Sequence, residues 1–376
     1  MKRYKAGNYI KKHEYKSFSP SYINREFDIA DKKISVLLEN AGRLLGELNA
    51  FSRSVPDIDF YIFMLVAKEA TVSSRIEGTK TLIDEAVMPE EEILPERKDD
   101  WQEVRNYIIA INSAVDSLKD LPLCIRLIKE THKTLLRSVR GEKKIPGEIR
   151  TSQNWIGGSS PSNAFFVPPV PEEVSELLAD LEKFWHNDNL DLPKLIKIAI
   201  SHYQFETIHP FLDGNGRIGR LLVILQLIDS GILRKPAFYL SEFFEENKKL
   251  YYDSLTLVRE KNDLEQWIRF FLQGVCQTAE KTIQTFEKID LLRKENEEKI
   301  YTLGRRAKKG YELLRLLYSH VYINVDIVAK ELKISWPSAN KLISEFVRLG
   351  ILKEITNQKQ YRKFVFDDYI KIFRIC

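Results

Sequence analysis

Twelve consecutive positions of this chain, His209, Pro210, Phe211, Leu212, Asp213, Gly214, Asn215, Gly216, Arg217, Ile218, Gly219 and Arg220, gather a base, an acid, an amide and two guanidiniums around glycines. That inventory suits phosphate. Gly214 and Gly216 let the backbone approach a ligand and take positive φ, and the apolar run over residues 221–225 predicts a helix beyond them. A glycine loop opening onto a helix N-terminus offers unpaired N–H groups and a partial positive charge, with Arg217 and Arg220, spaced i, i+3, on the first turn. Asp213 is a hard oxygen ligand suited to a magnesium ion bridging phosphate oxygens. His209, at a helix end before Pro210, is placed to act as a general base.

Two other chemistries use some of the same residues. Residues 214–219 satisfy the dinucleotide pattern G-x-G-x-x-G, which requires a preceding strand. Ile196, Ala199, Ile200 and Tyr203 instead recur at i, i+3, i+4, i+7 after the start signal of Asp191 and Pro193, so a helix leads into the loop. His202, Glu206 and His209 share one helical face and are feasible zinc ligands. Pro210 ends that helix where the third ligand needs support, and the nearby arginines disfavour a cation.

The segment resembles the Fic family motif, His-x-Phe-x-Asp/Glu-Gly-Asn-Gly-Arg-x-x-Arg, and every defined position agrees. The resemblance implies a mainly α-helical core in which His209 deprotonates a target hydroxyl that attacks the α-phosphate of ATP, leaving AMP on Ser, Thr or Tyr. It implies Asp213 as the Mg²⁺ ligand, Gly214, Asn215, Gly216, Arg217, Ile218, Gly219 and Arg220 as the phosphate cradle, and Phe211 as a core anchor. Tyr251 and Tyr252 resemble the family's adenine-side tyrosines. Upstream, Ser73 and Glu77 share a helical face and Gly78 can cap its end; by themselves they read as a capped surface helix. They also fit the family's inhibitory motif Ser/Thr-x-x-x-Glu-Gly/Asn, which implies that Glu77 pairs with Arg220 and blocks the γ-phosphate. Related proteins with this core use other donors, and the same site can remove AMP.

The elements that must position these residues follow from the rest of the chain. Its 376 residues, 44% hydrophobic and 30% charged, predict a globular protein of two or three domains. Residues 1–16 are basic and aromatic without a long apolar stretch, so neither signal peptide nor membrane span is expected and the chain reads as cytoplasmic. Cys124, Cys276 and Cys376 are odd in number and far apart, with no disulfide framework or metal-ligand spacing. Helices are expected over residues 28–51 and, after a turn at Pro56, from residue 60 onward, then over residues 103–118 and 123–139. Glycine, serine and proline around Arg150, Asn154 and Trp155 predict a hairpin flap over about residues 147–170. In the family such a flap holds the target's backbone as an added strand. Residues 281–299 read as a solvated connecting helix whose main apolar members are Leu291 and Leu292.

Composition then shifts. Residues 301–376 carry 15 Lys and Arg against seven Asp and Glu, in a chain of formal net charge +4. Two short helices, a third opening at Ser335 and Trp336, and a hairpin with a polar tip over residues 357–361 resemble a winged helix-turn-helix. Such a module would place Ser338, Asn340 and Lys341 in a DNA major groove and Lys359 to Lys363 against phosphates, a dimer supplying two half-sites; it also serves in protein contacts alone. The expected organisation is a helical N-terminal region over residues 1–100 with the inhibitory helix at about 66–79, a catalytic core over 101–300, and the winged helix over 301–376. The expected activity is ATP- and Mg²⁺-dependent AMP transfer to a protein hydroxyl. The alternative is a DNA-binding regulator whose core only senses nucleotide.

Overall fold

A computed structural model of the chain describes residues 4–54, 58–139, 143–356 and 361–374. Pro56, Lys359 with the rest of the wing tip at 357–360, and Cys376 lie outside the described residues. The chain opens on an antiparallel hairpin, β1 (Gly7–Lys11) and β2 (Lys16–Pro20), which the sequence reading missed because its alternation is short and mostly polar. Then come α1 (Lys32–Ser54), α2 (Ile58–Ile76), the single turn α3 (Ile83–Ala86), α4 (Lys98–Ser117) and α5 (Ile125–Leu135). Past α5, beyond the flap, come α6 (Pro171–His186), α7 (Lys194–Ile208), α8 (Asn215–Asp229), α9 (Ser241–Glu246), α10 (Lys248–Lys261) and the long α11 (Leu264–Tyr301).

The centre is α7 with α8. Both are buried almost all round, as expected of helices whose apolar residues are not confined to one stripe. Tyr203, Phe205, Phe211, Phe244, Trp267 and Phe271 fill the space about them with no more than traces of exposure. Helix α2 is not the capped surface helix of the plainer reading. Residues 69–74 on it are all buried, polar ones included.

Two expectations change. Residues 281–299 do not form a solvated connector. They continue α11 and lie along α1, burying Ile283, Phe286 and Ile289, with Phe286 stacked on Phe51 at 5.5 Å, whereas Leu291 is exposed. The charged residues belong to the outer face of one long amphipathic helix. The flap is a loop with the single antiparallel bridge Ile156↔Phe166 rather than a laddered hairpin, because its prolines and glycines remove donors and bend the backbone. The divide placed between residues 100 and 101 falls inside α4.

Residues beyond α11 form α12 (Ala307–Leu317), β3 (Tyr322–Asn324), α13 (Val325–Glu331), α14 (Trp336–Arg348), β4 (Lys353–Glu354), β5 (Lys363–Val365) and α15 (Asp367–Lys371). The strands make an antiparallel sheet in the order β3-β5-β4. This unit packs on the N-terminal helices: Tyr318 meets Tyr61 edge-on at 4.9 Å, Arg374 pairs with Asp84 at 2.7 Å, and Lys363 pairs with Glu92.

The corrected face of α11 is testable by chemical denaturation. Phe286→Ala should lower stability by about 3–5 kcal/mol, and Leu291→Ala by about 0.5 kcal/mol or less. Equal losses would return residues 281–299 to the solvated-connector reading.

Candidate active site

Helix α7 ends at Ile208, and His209 follows in the left-handed conformation (φ 50°, ψ 61°), its N–H still bonded to Phe205 O at 3.0 Å. A non-glycine residue in that region is strained and must be held by its surroundings. Here the holding groups come from the flap. The Arg150 guanidinium donates to His209 O at 2.9 Å and Pro169 O at 2.6 Å, the Arg150 N–H to Pro210 O, and Asn154 Nδ2 to His209 O and Phe211 O at 3.1 and 2.9 Å.

The rest of the loop is fastened as tightly. Phe211 N–H donates to Asn215 Oδ1 and Asn215 Nδ2 donates back to Phe211 O, both at 2.8 Å. The Asn215 side chain therefore closes the loop, and among the described residues its backbone N–H takes no partner, so a place in the phosphate cradle would fall to that N–H. His132 stacks on Phe211 with ring centroids 3.8 Å apart. Its Nδ1 accepts from Gly147 N–H, so the proton sits on Nε2, which donates to Asp213 O at 2.9 Å.

Gly214 caps α8 with φ 76°, where a side chain would be strained. Gly216, expected to share that conformation, is not among the positive-φ glycines; it lies in the first turn of α8. Its missing Cβ serves another purpose: a methyl there would collide with the Glu77 carboxylate. Glu77 thus lies against the N-terminal turn of α8, where unpaired N–H groups favour an anion.

Both arginines of the motif are buried and both are held by acids. Arg217 pairs with Glu103 of α4 at 3.1 Å, with Asp213 further off at 3.8 Å. Arg220 donates through Nε to Ser73 Oγ at 2.8 Å, and through one terminal nitrogen to Ser73 O at 2.9 Å and Glu77 Oε1 at 2.6 Å. Burial works against the charge of Arg220, but Glu77 more than compensates and raises its pKa. Burial likewise pushes Glu77 up, and Arg220 overrides it, so the Glu77 carboxyl sits below its ordinary range although its side chain is 35% exposed.

His209 is half-buried, and its Nδ1 is enclosed with no hydrogen-bond partner among the described residues. Burial, helped by Arg150 and opposed by Glu77, lowers its pKa to about 4, so the ring is neutral at neutral pH and can accept a proton. His202 has a different fate. It donates from Nδ1 to Gly219 O and accepts on Nε2 from Tyr251, so neither nitrogen is left for zinc. A helix leads into the glycine loop, which removes the dinucleotide reading. Tyr251 is buried in that contact, so of the tyrosine pair only Tyr252, 42% exposed, presents a ring to the outside.

Glu103, His132, Arg150 and Asn154 were not singled out as site residues in the sequence. One signal was available for Glu103. It shares the buried face of α4 with Tyr107, a position where an unpaired acid is costly.

Residues 122–227 match the model for the Fic/DOC family, and residues 36–116 match that for the Fic/DOC family N-terminal region. The chain carries a Fic/DOC domain preceded by that family's N-terminal region. Among curated Fic relatives, protein adenylyltransferase fic-1 of Caenorhabditis briggsae is 33% identical over 192 residues, covering 48% of this chain and 33% of that protein. Protein adenylyltransferase Fic of Drosophila erecta is 27% identical over 190 residues, covering 50% of this chain and 34% of that protein. The match thus spans about a third of the length of these relatives. A Fic family protein from Desulfovibrio desulfuricans G20 shares the fold with a TM-score of 0.58 and 17% identity, over 91% of this chain and 98% of that one. A Fic domain containing signaling protein from Bacteroides thetaiotaomicron VPI-5482 does so at 0.53 and 20%, over 66% and 98%.

The enclosure of the His209 ring can be checked by following imidazole resonances with pH. His209 should titrate with a midpoint of about 4, and a midpoint near the ordinary 6.5 would mean that its ring is solvated.

Proposed function

We propose that the protein moves AMP from ATP to a Ser, Thr or Tyr hydroxyl of a target protein, and of itself, and that Glu77 holds this activity in check. The observation carrying the reading is a neutral His209 held beside a helix N-terminus whose first two turns bear two buried arginines. In the proposed step His209 takes the proton of the acceptor hydroxyl as its oxygen bonds to the α-phosphorus. The bond to the β-phosphate oxygen breaks and pyrophosphate leaves. The N–H groups of Gly216 and Arg217 and the Arg217 and Arg220 guanidiniums stabilise the charge that develops on the phosphate oxygens.

Asp213 fits a magnesium ion. Its Oδ1 accepts the Gly214 N–H at 2.6 Å, its side chain is 44% exposed, and Oδ2 takes no hydrogen bond among the described residues. Magnesium is commonly held by one or two carboxylates together with substrate phosphates, so a single acid suffices. Bound there, the ion would neutralise phosphate charge. Tyr252 is the better placed of the tyrosines to meet the adenine. Removing AMP uses the same groups with water as the attacking oxygen: its oxygen bonds to the phosphorus, the bond to the target oxygen breaks, and AMP leaves as that oxygen takes back its proton.

Glu77 acts by occupation. While it pairs with Arg220, that guanidinium cannot hold the γ-phosphate, and the carboxylate repels a phosphate from the first turn of α8. A charge-assisted hydrogen bond contributes about 1.5–3 kcal/mol, and each 1.4 kcal/mol is tenfold. Glu77→Gly should therefore raise incorporation from α-labelled ATP by about 10–100-fold, and His209→Ala should cancel the gain. Unchanged incorporation in Glu77→Gly would remove the inhibitory role.

A second reading rests on the C-terminal unit, whose order of helix, strand, helix, helix, strand, strand supports a winged helix. Ser338 and Lys341 are exposed on α14, and Asn340 is half-buried. In that reading the protein is a nucleotide-sensing DNA regulator, dimeric on two half-sites. It predicts that His209→Ala leaves ATP-dependent DNA binding intact in a protein that never transfers AMP, a result that gel shifts and label incorporation together distinguish. Among the described residues no helix is long and apolar enough to cross a membrane.

A further inference from the structure

The β1–β2 hairpin takes no part in the chemistry above, yet it is fastened to the flap. Phe18 N–H donates to Val167 O and Ser17 Oγ to Pro168 O, both at 2.9 Å, and the Phe18 and Phe166 rings lie 6.1 Å apart. Arg259, buried, sits over the Phe166 ring at 3.7 Å, a desolvated cation–π contact that fixes this side of the flap. The hairpin turn closes through Lys12 N–H to Tyr15 O at 2.8 Å. Between this turn and the flap tip lies a cleft of about 540 Å³.

Its chemistry is lopsided. Lys11, Lys12, His13 and Lys16 line it from the hairpin, with Glu14 as the one acid, and Pro161 and Phe165 line it from the flap. Among the described residues the three lysines make no ion pair, although lysines elsewhere in the chain commonly do. Phe165 is 92% exposed at the edge of this charge. An exposed ring rimmed by unpaired cations marks a contact surface rather than a packing defect.

We propose that this cleft seats an acidic segment of the target protein, its carboxylates against Lys11, Lys12 and Lys16 and an apolar side chain against Phe165. The inference rests on the reading of the protein as an adenylyltransferase and names its substrate class. The flap that forms one wall also holds the His209 backbone through Asn154, so the cleft and the proposed site share one element. A cleft of this volume holds a few side chains, whereas a polynucleotide needs an extended cationic track.

The test uses two fluorescent peptides with the same central Ser and Tyr and one Leu, flanked in one by four Glu and in the other by four Lys. Each is titrated by anisotropy against full-length Glu77→Gly protein, against Lys11→Glu, Lys12→Glu, Lys16→Glu in that background, and against the corresponding Arg triple variant. The Glu-flanked peptide should bind about tenfold tighter or more, the scale of two or three exposed ion pairs. The preference should invert in the Glu variant, survive in the Arg variant and shrink with added salt. Equal binding of the two peptides, a preference that survives charge reversal, or displacement of the peptide only by oligo-dT would each overturn the proposal. Label from α-labelled ATP is read on the same samples: a charge preference with no transfer supports the cleft and overturns the transferase reading.

Discussion

A buried guanidinium needs an anion, and the choice of anion for Arg220 governs much of this structure. Its position is fixed from α8, and among the described residues the carboxylate that bonds it is Glu77, just past the end of α2, while Glu206 of α7 acts on it only from a distance. The end of α2 is itself short of donors. The last carbonyls of a helix have no partners within it, and here each finds one: Ser73 O takes Arg220, Ser74 O the Glu77 N–H, Arg75 O the Gly78 N–H, and Ile76 O the Lys248 ammonium. The negative end of the α2 dipole and the Glu77 carboxylate thus reach Arg220 together. The contact is a helix C-terminus completed by a cation that the proposed chemistry also requires. In the proposed function, nucleotide and α2 compete for that one charge.

Such competition is sharp only if the loop between α7 and α8 does not give way. His209 stands in strained backbone, and the loop has no regular structure of its own. Arg150, Asn154, His132 and Asn215 supply what a strand or helix would otherwise supply, all of them through backbone carbonyls and N–H groups of residues 208–213. Burial lowers the Arg150 pKa to about 10, still far above neutrality, so its charge is retained where it binds carbonyls. Glu206 shows the same economy of space: buried without a partner on Oε1, pushed up to about 7 by burial, it fits only because Gly219 has no side chain.

Much of this was legible in the sequence, and for identifiable reasons. The helix before the loop, the helix after it and the turn at Gly214 follow from periodicity and glycine, and the pairing of Glu77 with Arg220 was implied by two short motifs far apart in the chain. What was not legible depends on three-dimensional partners. Nothing local distinguishes Asn215 as a loop clasp from Asn215 as a phosphate ligand, nor Tyr251 bonded to His202 from Tyr251 facing adenine. Helix periodicity in a charged stretch also misled: Phe286 and Ile289 define the inner face of α11, but the eye is drawn to the Leu291, Leu292 pair. The β1–β2 hairpin escaped because its one strongly apolar anchor, Phe18, finds its partner 148 positions later in Phe166.

The competition itself can be measured without any catalysis. ATP and ADP differ at this site by the γ-phosphate alone, so calorimetric affinities for the two nucleotides, in wild type and in Glu77→Gly, isolate the contact with Arg220. The account predicts that wild type binds ATP no better than ADP, and that Glu77→Gly gains about tenfold or more for ATP while ADP changes little, the scale of one charge-assisted hydrogen bond. An ATP-to-ADP affinity ratio that is the same in both proteins would contradict it.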